Sequence, residues 1–289
     1  MKLVKPLVKL ALALVLFSLA GRFCAQQTDG FALSKIRSHL SFDPRWEIPQ
    51  NPAEARTILQ QKFYYLSKGA QCYVFSSSDN RYVLKFFRQK LFYLPWASHF
   101  FSQEKKEKIS VKKQAALEKD FQSYCLAYRE LKEETGLVFL HLNKSRTFSS
   151  PLVLVDKLGI EHAIDPNEYE FFVQKKALLI PEKIEMEMHQ GQLEEAKQTL
   201  RSLFALIHER IEKKIVDADA NLKKNFGFSE GRAIQIDIGR FSKAEFSEKR
   251  ALNSLYKRKE DLQFWINEHY PELSDFFKVE FERTFESQP

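Results

Sequence analysis

Cysteine is scarce in this chain: three among 289 residues, at positions 24, 72 and 125, and never as a CxxC pair. That spacing indicates no zinc site, and no disulfide follows from it. There is no repeat of fixed period, so a solenoid or propeller has no support. The apolar run from Leu10 to Gly21 falls short of the roughly 20 residues that span a bilayer comfortably. Acidic residues are missing from positions 1–25, where Lys2, Lys5, Lys9 and Arg22 stand. Setting that segment aside lowers the formal net charge from +7 to +3, a value that demands no polyanionic partner. Nucleic acid is therefore not expected to bind.

What is present is material for a core. Hydrophobic residues make up 44% of the chain and 26 are Phe, while charged residues at 29% match a soluble protein. Length allows one large domain or two small ones. Residues 1–25 read as a secretory signal, with a lysine-bearing start, an apolar stretch and small residues at Ala20 and Ala25. An uncleaved membrane anchor and a buried apolar helix are the alternatives. The segment implies export or membrane association, secretion into a host cell included.

Residues 26–59, with Pro44, Pro49 and Pro52, form an irregular lead-in with a short helix. The stretch "KFYYLSKGAQCYVFSSSDNRYVLKFFRQ" is aromatic and β-branched, and turn residues break it at Lys68-Gly69 and Ser78-Asp79-Asn80. It predicts three short strands. In the third, Lys85 shares a face with Val83 and Phe87. Leu117, Phe121, Tyr124, Tyr128 and Leu131 fall at helical spacing and stop at Gly136. Further strands are predicted in "LVFLHL", "SPLVLVDKLG" and "YEFFVQKKALLIP". Beyond Pro181 the pattern turns helical, with Leu193, Ala196, Leu200, Leu203, Phe204, Ile207 and Ile211 on one face. Residues 244–269 give a charged helix, and "LSDFFKVEFERTF" a last one.

Residues 215–241, "IVDADANLKKNFGFSEGRAIQIDIGRF", concentrate the polar chemistry. Asp217, Asp219 and Asn221 match the first ligands of a helix-loop-helix calcium loop, but Leu222 and Phe228 stand where its Gly and bidentate Glu belong. Gly227-Phe228-Ser229-Glu230-Gly231 fits the G-x-S-x-G of a serine hydrolase. That elbow needs a helix after the serine, whereas an extended "AIQIDI" follows, and the only later histidine is His269. A plain hairpin turn explains the same residues.

The third reading draws on the rest of the chain. "LSKGAQCYVFSSSDNRYVLKFF", "VQKKALLI", "LIHERIEKKIVDADANLKKN" and "IQIDIGRF" follow one another in an order that resembles the protein-kinase-like superfamily, lipopolysaccharide-type and small-molecule kinases included. The resemblance covers about residues 60–242. It implies a two-lobed α+β fold with an antiparallel five-stranded N-lobe over residues 60–180 and a mainly helical, shortened C-lobe over residues 181–289. It also implies ATP and Mg2+ as cofactors and an alcohol as phosphoryl acceptor, on a protein, sugar or lipid. By similarity Gly69 and Ala70 would cover the phosphates, Lys85 would pair with them, and Gln174 and Lys176 would lie at the hinge. Asp219 would serve the acceptor hydroxyl, and Asn225 and Asp237 would hold the metal. Glu118, with Glu130 as alternative, would hold Lys85 in place.

This chemistry asks a protein mainly to place charges around a triphosphate and its metal, and hard oxygen ligands suit magnesium. The chain departs from the family pattern at several points. Asp217 stands where a histidine or tyrosine is usual, and Asp219 and Asn225 are six residues apart rather than five. The phosphate turn has one glycine, Asp-Ile-Gly replaces Asp-Phe-Gly, and no Ala-Pro-Glu follows. Asp217 and Asn221 therefore remain open as working groups. A pseudokinase acting as a binding module is the second reading, and a hydrolase at Ser229 the third. The chain is expected to be a monomer.

Overall fold

The computed structural model describes residues 4–92, 94, 96–243 and 247–285. Residues 1–3 of the expected leader lie outside these. The rest of the leader is helical, in α1 (Val4–Gln27), and exposes apolar side chains such as Leu14, Leu16, Phe17 and Phe23. Among the described residues no helix is long and apolar enough to cross a membrane. The lead-in contains the short α2 (Ala53–Leu59). It does more than lead in: Phe31, Ile36, Ile58 and Leu59 are buried on one side of the sheet, and Trp46 and Ile48 on the other.

Three consecutive antiparallel strands follow, β1 (Lys62–Lys68), β2 (Cys72–Ser77) and β3 (Tyr82–Phe87). The long helix α3 (Gln103–Glu130) begins at Ser102, whose hydroxyl accepts the Lys105 N–H, as an N-cap should. A short α4 (Lys132–Thr135) leads into β4 (Leu137–His141). Then come the hairpin β5 (Leu152–Val155) and β6 (Glu161–Ile164), and β7 (Phe171–Lys175).

These strands make one seven-stranded sheet in the order β4-β7-β3-β2-β1-β5-β6. The expected five-stranded antiparallel sheet is corrected in number and in sense: all six segments read individually as strands enter it, and β6 makes a seventh. β5 pairs with β1 in parallel, so the sheet is mixed. β6, "EHAI", is an edge strand in which Glu161 and Ala163 are exposed and only Ile164 is buried, and it carries no apolar alternation to announce it. Asp156 closes the hairpin by accepting the N–H groups of Leu158 and Ile160.

The remainder is helical, as the 3.6-residue periodicity demands. After β8 (Leu178–Leu179) come α5 (Ile180–His189) and α6 (Leu193–Glu212). Short strands β9 (Val216–Asp217), β10 (Phe226–Ser229), β11 (Arg232–Gln235) and β12 (Phe241–Ser242) occupy the polar segment. They are followed by α7 (Glu248–His269) and α8 (Ser274–Phe285). Leu200, Leu203, Phe204 and Ile207 of α6 form a core with Leu255, Leu262 and Ile266 of α7 and Phe277 and Phe281 of α8. A separate apolar cluster joins Leu117, Phe121 and Tyr124 of α3 to Phe87 of β3, Phe172 of β7, and Ile215, Ile238 and Phe241. The polar segment is thereby tied to the sheet.

Candidate active site

A cavity of about 740 Å3 opens between the β1–β3 side of the sheet and the segments at 219–225 and 236–240. Its lining includes Gly69, Ala70, Lys85, Gln174, Lys176, Asp219, Asn225 and Asp237. Residues separated by more than 150 positions thus share one wall system. Of the residues singled out from sequence, Glu118, Glu130, Asp217, Asn221 and Ser229 are not among its lining.

Lys85 stands on β3 between Val74 of β2 and Phe172 of β7. Its ammonium donates to the Ile236 carbonyl at 2.7 Å, one residue before Asp237, and lies 5.5 Å from the Phe172 ring centre. Burial pulls the Lys85 ammonium below its ordinary range, with Cys72 and Asp237 opposing. The Cys72 thiol beside it is pushed up to about 12 by burial, so it stays protonated and unreactive at neutral pH.

Among the described residues no carboxylate forms an ion pair with Lys85. Glu118 points away and pairs with Arg45 at 3.3 Å, while Glu130 pairs with Lys243 at 2.5 Å. The reason is helical phase: Leu117, Asp120, Phe121, Ser123, Tyr124, Cys125 and Ala127 are the buried residues of α3, and Glu118 lies off that stripe. Asp120 is the inward carboxylate, 3.7 Å from Arg240. Burial holds its carboxyl above the ordinary range, with Arg240 opposing. Ser123 accepts the Phe241 N–H and donates to the Ile238 carbonyl, which anchors α3 to the residues flanking Gly239.

The β1–β2 turn is held from the protein side. The Arg88 guanidinium donates to the Gly69 and Ala70 carbonyls, and the Tyr124 hydroxyl donates to Gln71. The Gln71 side chain lies over Gly239, where a Cβ would come within 2.1 Å of its Oε1. Glycine at 239 is thus what lets the turn close down.

The loop after α6 is held from beneath by a buried ion pair. Asp217 is buried and pairs with the equally buried Arg210 of α6 at 3.4 Å. Gln235 donates to Asp217 at 2.5 Å and to the Asp237 carbonyl at 3.2 Å, and accepts from Arg210. Burial holds the Asp217 carboxyl above its ordinary range, with Arg210 opposing. Asp217 also accepts the Asp219 N–H at 2.9 Å, so it supports the loop from beneath. Asn221 accepts the Lys223 and Lys224 N–H groups at 3.1 Å, and its carbonyl accepts the Asn225 N–H at 2.9 Å. The additional residue is taken up in that turn. Asp219, exposed, and Asn225, buried, both still line the cavity. The Asn225 amide nitrogen donates to the Asp219 carbonyl, which leaves its Oδ1 as the atom free for a cation.

At the far end Gln174 donates to the carbonyls of Thr135 and Gln235, while its own Oε1 is buried with no hydrogen-bond partner. Lys176 donates to Asn80 through its side chain. β10 packs so closely on the 177–178 segment that a Cβ on Gly227 would come within 2.7 Å of Ala177 Cβ.

Among the described residues Ser229 is hydrogen-bonded to no histidine or carboxylate. It lies in the β10–β11 hairpin, strand followed by strand, and its hydroxyl donates to the Lys176 carbonyl at 2.9 Å. The turn residues Glu230 and Gly231 have φ of 48° and 83°, the left-handed pair a tight hairpin needs. Among the described residues no group of three or more His, Cys, Asp or Glu side chains could hold a metal by itself. Asn225 and Asp237 offer two oxygen donors, which fits magnesium, an ion that takes its remaining ligands from phosphates and water.

Sequence reasoning missed Arg210, Gln235, Asp120, Tyr124 and Gln71. Two of these carried a visible signal. Arg210 falls on the apolar face marked by Ile207 and Ile211, and Gln235 sits inside an extended apolar run; a polar group in such a place needs a buried partner.

No family model matches the chain, and no curated protein does. The chain is distantly similar to solved structures. One is WbdD at high resolution, with 14% identity over 78% of this chain and 46% of that one, and a TM-score of 0.37. Another is described as the bifunctional kinase-methyltransferase WbdD, with 14% identity, 76% and 43% coverage, and a TM-score of 0.37. The third is Rv3197 with erythromycin from Mycobacterium tuberculosis, with 14% identity, 67% and 52% coverage, and a TM-score of 0.30. The chain spans about half the length of these structures.

Proposed function

We propose that the chain is a protein-kinase-like phosphotransferase that moves the γ-phosphoryl group of ATP to an alcohol. One observation carries the reading: Lys85, Asp219, Asn225 and Asp237 converge on a single cavity, with the Lys85 ammonium hydrogen-bonded next to Asp237. The Gln174 Oε1, buried and unpartnered, is an acceptor that a nucleobase amine would satisfy. Lys85, held on a rigid strand, would pair with phosphate oxygens. Asn225 and Asp237 would hold magnesium, which supplies positive charge against the phosphates when bound.

In transfer, the acceptor oxygen bonds to the γ-phosphorus as the bond to the β–γ bridging oxygen breaks. ADP leaves with that electron pair, and the hydroxyl proton passes to Asp219. Asp217 and Arg210 keep the Asp219 backbone in place from below.

A second reading is a nucleotide-binding pseudokinase, favoured by one feature: Lys85 bonds a backbone carbonyl and not a helix carboxylate. ATP binding and turnover of the chain with magnesium, beside Lys85→Ala and Asp237→Ala, separate the two. Binding with turnover that both substitutions abolish is the expected result. Binding without turnover selects the pseudokinase, and absence of magnesium-dependent binding ends both. Export or membrane association through α1 belongs to the same proposal, and fractionation of cells carrying the chain with and without residues 1–25 tests it.

A further inference from the structure

Asp219 does not face open solvent alone. Arg258 of α7 stands 3.4 Å from its Oδ1, and both side chains are partly exposed, at 38% and 51%. No hydrogen bond joins them among the described residues, so the five donors of the guanidinium are not committed to Asp219. Lys224 and Arg240 line the cavity with Asp219, and Arg258 stands outside that lining, at the Asp219 end. Arg240 already faces Asp120 at 3.7 Å, whereas neighbouring Lys259 is turned onto the rings of Phe281 and Tyr256 at 4.1 and 4.8 Å.

A solvated ion pair of this kind contributes little to folding. Its consequence is chemical: an alcohol that reaches Asp219 must lie beside a guanidinium and within the field of two further cations. We propose that the acceptor is a small anionic alcohol, a sugar acid or sugar phosphate, whose carboxylate or phosphate is gripped by Arg258 with Lys224 and Arg240 flanking it. This rests on the phosphotransferase reading of the cavity.

Three physical points support that class. Arginine presents a planar fork that takes a carboxylate or phosphate through two parallel hydrogen bonds, which fixes orientation as well as adding affinity. The same charge repels an amine-bearing acceptor, so the Asp219 end of the cavity selects by exclusion as well as attraction. Size sets the remaining limit. The cavity of about 740 Å3 must serve nucleotide and acceptor together, within the range of ordinary small-molecule sites. With Arg258 so close to the base, the charged group of the acceptor falls within one sugar ring of the reacting hydroxyl.

The test uses the full chain with magnesium and ATP, and compares glucose, glucose 6-phosphate, glucuronate, glucosamine and an acidic serine peptide as acceptors. Glucose 6-phosphate and glucuronate are expected to exceed glucose in kcat/KM by at least tenfold, and glucosamine to be poorest. Arg258→Ala should shrink the anionic preference by about tenfold, mainly through KM. Arg258→Lys should keep part of it, and Arg258→Glu should turn preference toward glucosamine.

Equal use of glucose and its phosphate overturns the proposal. So does an Arg258→Ala variant that speeds every acceptor alike, because the arginine would then only mask Asp219. Preference for the peptide over both anionic sugars overturns the sugar assignment. If no acceptor turns over, binding to the chain loaded with magnesium and a non-hydrolysable ATP analogue decides: glucose 6-phosphate no tighter than glucose refutes it. Magnesium–ATP binding, measured separately, shows whether the underlying phosphotransferase reading has failed instead.

Discussion

Arg210→Met gives the most demanding check on how the loop at 217–225 is held. Arg210 and Asp217 are 6% and 5% exposed and 3.4 Å apart. At that separation and an effective dielectric of about 20, their attraction is about 5 kcal/mol. Methionine fills similar space without charge, so Asp217 keeps the Gln235 and Asp219 N–H donors but loses its cation. Breaking a buried pair from one side costs about 3–5 kcal/mol, and that is the expected loss at pH 8. The loss should shrink at pH 5. Without Arg210 the folded carboxyl rises further above its unfolded value, so the folded state binds the extra proton and stability falls as pH rises through that window. Arg210→Met with Asp217→Leu removes both charges and should regain most of the loss. Urea unfolding of the four proteins at both pH values is the assay. A single-variant loss below about 1 kcal/mol at pH 8, with an additive double variant, would refute the reasoning.

Four further outcomes are expected. Gly227→Ala drives a Cβ within 2.7 Å of Ala177 Cβ and 2.9 Å of the Leu178 carbonyl oxygen; it should cost about 1–3 kcal/mol in urea unfolding and weaken ATP binding by displacing the 177–178 segment. Glu118→Ala should leave ATP affinity unchanged, because that carboxylate pairs with Arg45 outside the cavity. Asp120→Ala should weaken it by releasing Arg240; isothermal calorimetry reads both. Glu170, buried and hydrogen-bonded by Ser38 and Gln89, is raised by burial to about 7. Its folded value exceeds the unfolded one, so stability should fall as pH rises from about 4.5 to 7, by roughly 3 kcal/mol, and Glu170→Gln should remove that slope.

Much of the scaffold is legible in the amino-acid sequence. β1, β2 and β3 follow from turn residues at Gly69 and Asn80, and α6 from the apolar spacing between Ala196 and Ile211, because both signals are local. The seventh strand was not legible: "EHAI" sets one polar and one apolar residue on each face, and it is a strand only because β5 offers it an edge. The same division runs through the candidate site. Order along the chain was enough to single out Lys85, Asp219, Asn225 and Asp237, and all four line one cavity. It failed at Glu118, where a phase difference of two positions on α3 decides between solvent and cleft.

The sequence by itself determined which segments are strands and helices and which residues carry chemistry, since those depend on neighbours a few positions away. Only tertiary structure decided the partners. Asp217 became a buried support for the loop because α6 brings Arg210 beneath it. Arg258 came to stand at Asp219 because α7 folds back over the loop. Charges paired across 39 residues have no signature in local periodicity; their meeting is set by how helices pack.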